Sequence, residues 1–192
     1  MDAYYYLMAQ LPALVPGRAP VIGAASFLEL CEQLLPPQEY AAHASLSLTP
    51  QPGQSHPFTL AAAWYRYEIS LRSQLAALRA QRLSRTALPV EGETDLRSQA
   101  DARAATGFDS PLEAEIFLID RRLAVLDELQ GTAWFNRDSA AAYLLKTMLL
   151  ERRALFREEE GFSEYKRIYA AIMEHAALGV PASSISSGLG EQ

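Results

Sequence analysis

The side chains with the clearest chemical potential in this sequence are carboxylates that lie close together. Glu113 and Glu115, and further along Asp127 and Glu128, are near neighbours within the stretch 110–131. Two carboxylates can act together as a general acid and a general base. In helical bundles, carboxylates one turn apart can also hold iron. Carboxylates are equally common on helices that do no chemistry, so we interpret these as solvated side chains.

The motifs that would turn such carboxylates into a reaction centre are absent from the sequence. A di-iron bundle needs a Glu-x-x-His pair on each of two helices, and the residue three positions before His175 is Ile172. No Gly-x-Ser-x-Gly elbow and no glycine-rich nucleotide loop occurs. His43 and His56 lack neighbours at metal-ligand spacing, which predicts ordinary surface histidines. We therefore predict that the protein is not an enzyme and has no cofactor and no metal site.

Arginines recur along the longest helical pattern, which runs from 58 to 83. They are Arg66, Arg72, Arg79, Arg82 and, just beyond, Arg85. Such a helix can bind RNA, or it can meet acidic helix faces such as the one that carries Glu113, Glu115, Asp120, Asp127 and Glu128. Because the chain has a net charge of −6, we favour the second interpretation and predict no nucleic-acid partner. Glu68 and Arg72 also lie four residues apart, in the order that favours an ion pair.

Three amphipathic helices in a row, over 110–178, form the part of the chain that the rest surrounds. Ser110, Pro111 and Glu113 combine an N-cap hydroxyl, a proline at the first helical position and a carboxylate at the third. Gly131 predicts the end of this first helix, because glycine readily adopts positive φ. The apolar residues between them recur at steps of three and four, which is typical of a helix with one buried stripe.

Two more helices are predicted after Gly131. The second begins at Asp138 or Ser139 and ends at Gly161. The third begins at Ser163 and turns its apolar residues inward. The acidic run 158–160 is unfavourable at a helix C-terminus, and we interpret it as a solvated rim.

The remaining segments carry weaker patterns. The aromatic stretch from Tyr4 to Ala9 predicts a short buried strand or an extended arm. The proline- and glycine-rich stretch 48–57 predicts a flexible connection. The region 87–107 contains a helical pattern from Asp95 to Ala105, in which Leu96 and several alanines are the residues able to pack. It predicts a marginal helix or a mobile excursion.

The fold class predicted by these patterns is all-α, an irregular helical bundle of about five to seven helices with one short N-terminal strand as an option. We predict a single helical domain over 1–181, with a sub-division near 48–57, and a disordered tail over 182–192. Cys31 is the only cysteine, which is typical of a reducing compartment. The start resembles no signal peptide and no apolar run reaches membrane-spanning length, so a cytoplasmic location is expected.

Three segments in order carry a resemblance to a known family. The chain opens with Tyr-Tyr-Tyr-Leu in 4–12, continues with Trp-x-x-Tyr-Glu-x-x-Leu-Arg over 64–72, and later has Tyr-x-x-Lys-x-x-x-x-Glu-Arg within 143–153. Together they resemble a family of unknown function that is encoded in bacterial operons for V-type (A/V-type) ATP synthases. The resemblance covers most of the chain. A fainter likeness links it to the helical socket of these enzymes, which joins the central stalk to the membrane ring and is called d in eukaryotes.

The resemblance implies a helical accessory subunit or assembly factor that works through protein contacts in the cytoplasmic stalk region. Its partners would be other V-type ATPase subunits. It would lie peripheral to the inner membrane through those partners, without inserting directly. Candidate interface residues are Arg66, Arg72, Glu151, Arg152 and Arg153. Bracing between helices of the same chain explains these five charges equally well.

Two alternatives remain open from the sequence. One is a general helical adaptor or regulatory protein unrelated to the ATPase, which would bind a partner helix on an exposed apolar strip. The other is a metal-binding bundle enzyme, which bound metal in the purified protein would reveal.

Overall fold

The computed structural model describes residues 3–83, 95–156 and 165–173. Its helices are α1 (Ala3–Ala9), α2 (Ala24–Leu34), α3 (Pro37–Ala44), α4 (Thr59–Arg82), α5 (Leu96–Ala105), α6 (Pro111–Gln130) and α7 (Arg137–Ala154). Residues 165–173 form one further helical segment. The all-α prediction is confirmed, and these ranges contain no strand.

The chain divides into two compact units, Met1–Leu155 and Phe156–Gln192. Helices α1 to α7 and the loop 48–57 belong to the first unit. In the second unit the prediction that the helix turns its apolar residues inward is wrong, since Tyr165, Ile168, Tyr169, Ile172 and Met173 are all exposed. The predicted helix start at Ser163, the acidic run 158–160 and the tail 182–192 lie outside the described residues. The domain boundary at 181 therefore stays a prediction.

Helix α7 is the central element of the first unit. It packs against α1, α2, α3, α4 and α6. Its buried side chains cover most of its circumference, as expected for a helix surrounded by others. They include Ala140, Ala141, Ala142, Leu144, Leu145, Leu149 and Leu150. Burial on most sides explains why the sequence of α7 has a continuous apolar character rather than one clear stripe.

The start of α7 is built differently from the prediction. Asn136 is the N-cap, and its side chain accepts from the Ser139 amide at 2.8 Å. The Ser139 hydroxyl in turn accepts from the Asn136 amide at 3.0 Å, which completes a reciprocal capping box. Neither Asp138 nor Ser139 is therefore the cap. The helix also ends at Ala154 rather than at Gly161.

Two carboxylates of α7 satisfy the starts of other helices. Asp138 accepts from the Leu60 amide of α4 at 3.1 Å, and Glu151 accepts from the Ala24 amide of α2 at 2.9 Å. The N-cap residues of both helices make no side-chain capping bond of their own. Because a helix start leaves amides without partners, α7 supplies what the local sequence of α2 and α4 lacks. A Cβ on Gly23 would approach the Glu151 carboxylate to 2.6 Å, so glycine keeps this contact open.

The predicted boundaries of α6 are confirmed. The Ser110 hydroxyl accepts from the Glu113 amide at 3.3 Å, and Pro111 occupies the first turn. Gly131 follows the last turn with a φ of 55°, and its amide donates to the Asp127 carbonyl at 3.1 Å. Local chemistry alone fixes both ends of this helix.

The N-terminal strand prediction is wrong, because Ala3–Ala9 form α1. Leu7 is fully buried, whereas Tyr5 and Tyr6 are exposed. The helix packs on α2 and α7, and the Tyr4 hydroxyl donates to Glu39 at 2.5 Å. Aromatic residues favour strands only weakly, and the contacts with the rest of the bundle decide the conformation here.

Helix α5 corrects the prediction of a marginal or mobile segment for the part from Asp95 onward. Asp95 caps it by accepting from the Arg97 and Ser98 amides, and the helix packs against α4 and α6. Ala102 is fully buried, whereas Leu96, the expected anchor, is 80% exposed. Small residues make this contact, so a search for large apolar side chains could not find it.

Candidate arginine cleft on helix α4

A cleft of about 560 Å³ opens between α4, α6, α7 and the loop 48–52. We call it the arginine cleft. Its apolar lining includes Leu48, Ile69, Leu75, Leu118 and Leu149. Its charged lining consists of Arg72, Arg79, Arg122, Arg152, Glu68 and Glu115. The combination of an apolar interior with several arginines distinguishes this cleft from the other cavities described below.

The inner charges of the cleft form a closed pair. Arg122 Nε donates to Glu68 Oε2 at 2.8 Å, and Nη2 donates to Oε1 at 2.9 Å. The Glu68 side chain is 3% exposed and that of Arg122 is 12% exposed. Burial lowers the pKa of Arg122, but the hydrogen bonds and charge of Glu68 outweigh it, so that the net shift is upward. This bidentate pair is part of the core and has no charge left for a ligand.

The predicted pair of Glu68 with Arg72 does not form. Glu68 points into the bundle, where it meets α6, whereas Arg72 lies on the exposed side of α4. A second pair joins Arg152 Nη2 of α7 to Glu115 Oε1 of α6 at 2.8 Å, with the arginine side chain half exposed. Both glutamates of the cleft are thus neutralised by arginines from α6 and α7.

Arg72 and Arg79 provide the uncompensated charge of the cleft. Both are exposed, and neither guanidinium group makes an ion pair or a hydrogen bond within the described ranges. Helix geometry places residues seven apart on nearly the same side, so both guanidinium groups face the same opening. The cleft therefore has a local positive charge on a chain that is acidic as a whole.

The acidic side of α6 is occupied by partners other than the α4 arginines, contrary to the prediction. Glu115 pairs with Arg152 and Asp120 with Arg153, both on α7. The remaining pairs join Asp127 to Lys146 on α7 and Glu128 to Arg97 on α5. The prediction failed because α5 and α7 pack against the acidic side of α6 and supply the cations. Arg85 lies outside the described residues.

The structure does not bring the five candidate interface residues together. Arg66 lies about 120° around α4 from Arg72, beside a separate open hollow that includes Gln54 and His56. Glu151 caps α2, and Arg153 pairs with Asp120. Arg72 and Arg152 share the arginine cleft. An interface role for all five stays a prediction, and for Glu151 and Arg153 bracing within the chain accounts for their position.

Arg79 and Arg122 were not among the candidate residues. The seven-residue spacing between Arg72 and Arg79 was available in the sequence as a signal that both lie on one helix side. Nothing in the local sequence marks Arg122 as the partner of Glu68, because the two residues are 54 positions apart. Only the packing of α6 on α4 creates that pair.

A second, more apolar cleft of about 530 Å³ lies between the segment 8–16, the end of α6 and α7. Trp134 and Phe135 line it and are 62% and 48% exposed. Its lysine, Lys146, is already bonded to Asp127 at 2.6 Å and to Gln130 at 2.7 Å. This cleft therefore offers aromatic surface rather than charge.

The two described histidines are buried, which corrects the prediction of surface histidines. His43 is fully buried next to Phe27 and Phe58, its Nδ1 is 2.8 Å from the Glu39 carbonyl, and its Nε2 has no partner within the described structure. His56 Nδ1 accepts from the Phe58 amide at 3.2 Å. Burial lowers the pKa of both imidazoles. Both rings are therefore suited to the neutral form.

Within the described ranges, no group of three or more His, Cys, Asp or Glu residues is arranged to hold a metal ion. None of the helices in that part of the chain combines the length and the apolar character needed to cross a membrane. Family models, curated proteins and solved structures were compared with the chain, and none of them matches.

Proposed function

We propose that this chain is a non-enzymatic helical subunit or assembly factor of a bacterial V-type ATP synthase. It acts through protein–protein contacts in the cytoplasmic stalk region, and its partners are other subunits of that complex. The resemblance of the three segments 4–12, 64–72 and 143–153 to a family encoded with these synthases supports the assignment. The location that follows from it is cytoplasmic and peripheral to the inner membrane, through the partners.

The observation that carries the proposal is the arginine cleft. Of its charged side chains, Arg72 and Arg79 are exposed and have no partner among the described residues, whereas Glu68, Glu115, Arg122 and Arg152 are paired. Arginine is enriched in protein interfaces, where its guanidinium can form several hydrogen bonds to a partner. The acidic net charge of −6 favours a protein partner over a nucleic acid.

Copurification from native membranes tests the proposal. The tagged full chain is isolated after gentle detergent extraction, and bound proteins are identified by mass spectrometry. We expect V-type ATPase subunits to be recovered, in smaller amounts with an Arg72→Glu, Arg79→Glu double variant. The matched control is Arg66→Glu, an exposed arginine of the same helix outside the cleft. A folded wild-type chain that recovers no part of the ATPase would refute the assignment.

A second candidate function is a general helical adaptor unrelated to the ATPase. The exposed Trp134 and Phe135 beside the apolar cleft favour it, because exposed aromatic groups around a groove are typical of helix-binding surfaces. In the same copurification, this function predicts partners that are lost with Trp134→Ala and retained with the Arg72→Glu, Arg79→Glu variant. That pattern would move the assignment from the ATPase to an adaptor.

A further inference from the structure

The arrangement of charges in the arginine cleft restricts what can bind there. Its inner pair, Glu68 with Arg122, is buried and satisfied. Its edge pair, Glu115 with Arg152, is also formed. A ligand therefore meets the two guanidinium groups of Arg72 and Arg79 as its main charged contacts, and it must be anionic to compensate them.

The spacing of those two arginines sets a length. Seven residues of α-helix rise about 10.5 Å and return to within about 20° of the same side. Two carboxylates on a partner helix reach the same separation when they too are seven residues apart. Between the arginines the cleft is lined by apolar groups, including Ile69, Leu75 and Leu118. A partner helix presents its residues three and four positions after the first carboxylate to that apolar part.

We propose that the arginine cleft binds an acidic amphipathic helix of a partner protein. The helix carries Asp or Glu at two positions seven residues apart, with apolar residues three or four positions after the first. Arg72 and Arg79 each bind one carboxylate, and the apolar residues pack against the lining of the cleft. This inference rests on the proposed function, because it describes how the partner in the synthase is recognised through the same cleft.

A synthetic peptide tests the inference with the purified full chain. The probe is a fluorescein-labelled 18-residue helical peptide with glutamates seven apart and leucines between them. Its control has glutamine at both acidic positions, and a second control has the glutamates five apart. Fluorescence anisotropy measures Kd at low and moderate salt. We expect the Glu peptide to bind at least about tenfold more tightly than either control, and more weakly as salt rises.

Variants assign the binding to the two arginines. Arg72→Gln and Arg79→Gln keep polar side chains of similar reach, and each should weaken the Glu peptide by about tenfold or more, with little effect on the Gln control. Arg66→Gln is the matched control and should bind like the wild type. Circular dichroism checks that each variant keeps its helical content. Because both arginines are exposed, the fold should tolerate these changes.

Three outcomes would overturn the inference. They are equal binding of the Glu and Gln peptides, loss of binding with Arg66→Gln to the same extent as with Arg72→Gln, and tighter binding of a 12-nucleotide single-stranded RNA than of the Glu peptide. The test does not involve the ATPase. If copurification succeeds and the peptide fails, the proposed function stands and the carboxylate recognition does not. If the peptide binds and copurification fails, the reverse holds.

Discussion

The two sides of the first unit are held together by different kinds of contact. Around α2, α3 and α7, the rings of Phe27, His43, Phe58 and Tyr143 form an aromatic cluster, with Phe27 and Tyr143 stacked at 5.4 Å. Between α4, α5 and α6 lies a polar layer. There the Tyr67 hydroxyl donates to Asp101 at 2.9 Å, Arg121 donates to the same carboxylate at 2.8 Å, and the Ser70 and Ser98 hydroxyls bond at 2.7 Å.

This difference shows two ways to place a helix. An aromatic cluster stabilises many similar packings, because apolar contact is not directional. A polar layer stabilises one packing, because each buried donor or acceptor loses free energy unless it meets its own partner. Helix α5 is the extreme case: Ser98, Asp101, Ala102 and Ala105 are its buried residues. Hydrogen bonds therefore specify its position more than apolar area does.

The largest expected effect comes from breaking the buried pair next to the polar layer. Glu68→Ala leaves Arg122 buried without a counter-charge, and we expect a loss of about 3–5 kcal/mol in the free energy of unfolding. Urea denaturation measures it. Glu115→Ala at the more exposed Arg152 pair is the control and should cost less than about 1 kcal/mol. Equal losses in both variants would show that burial does not separate the two pairs.

A smaller effect is expected within α5, and it tests which residues anchor this helix. Ala102→Leu adds volume at a fully buried position and should cost about 1–3 kcal/mol. Leu96→Ala removes an 80% exposed side chain and should change stability by less than about 0.5 kcal/mol. Thermal unfolding of both variants measures the contrast. If Leu96→Ala were the more damaging change, α5 would have to pack by its leucine.

On the aromatic side, the polar contact of Glu151 with α2 is exposed to a milder test. Glu151→Ala removes the acceptor of the Ala24 amide and should cost about 0.5–2 kcal/mol, as loss of a helix cap does. Glu151→Gln retains an acceptor oxygen and should recover most of that loss. Hydrogen exchange at the Ala24 amide reports the change directly. A variant whose exchange equals that of the wild type would show that this carboxylate does not cap α2.

Mild acidification should have the smallest effect and should act on the aromatic side. Burial lowers the pKa of His43 below its ordinary value of 6.5, so the unfolded chain binds more protons than the folded chain as the pH falls through about 6.5. Stability is therefore full above that pH and declines below it. For one histidine, the step from pH 7 to pH 6 should cost less than about 1 kcal/mol.

Urea denaturation at several pH values, with His43→Gln as the comparison, measures this dependence. His56 contributes in the same direction, because burial also lowers its pKa. The His43 variant should therefore keep part of the slope. An unchanged slope in that variant would assign the whole effect to other groups.

The sequence predicts features that depend on neighbours in the chain. Ser110 and Gly131 delimit α6 as expected, because both ends use local hydrogen bonds and local backbone freedom. The all-α class follows from the same kind of pattern. The start of α7 was missed by two residues, since Asn136, Asp138 and Ser139 are all good caps and the local chemistry does not choose between them.

Features that depend on distant residues could not be predicted in this way. The burial of His43 arises from rings on α2 and from Phe58 before α4, and the pair of Glu68 with Arg122 joins residues 54 positions apart. The arginine cleft has the same origin. Its two unpaired arginines stand out only after α6 and α7 have supplied partners for the other charges.

The two carboxylates that α7 contributes to α2 and α4 have a consequence for biosynthesis. The amides of Ala24 and Leu60 leave the ribosome long before Glu151 and Asp138 are translated. Until then the first turns of both helices have only water to bond with, and a nascent chain cannot complete its amino-terminal third. Folding of that part must wait for nearly the whole first unit to emerge, so that a chain stopped before 138 would remain exposed to proteases and chaperones.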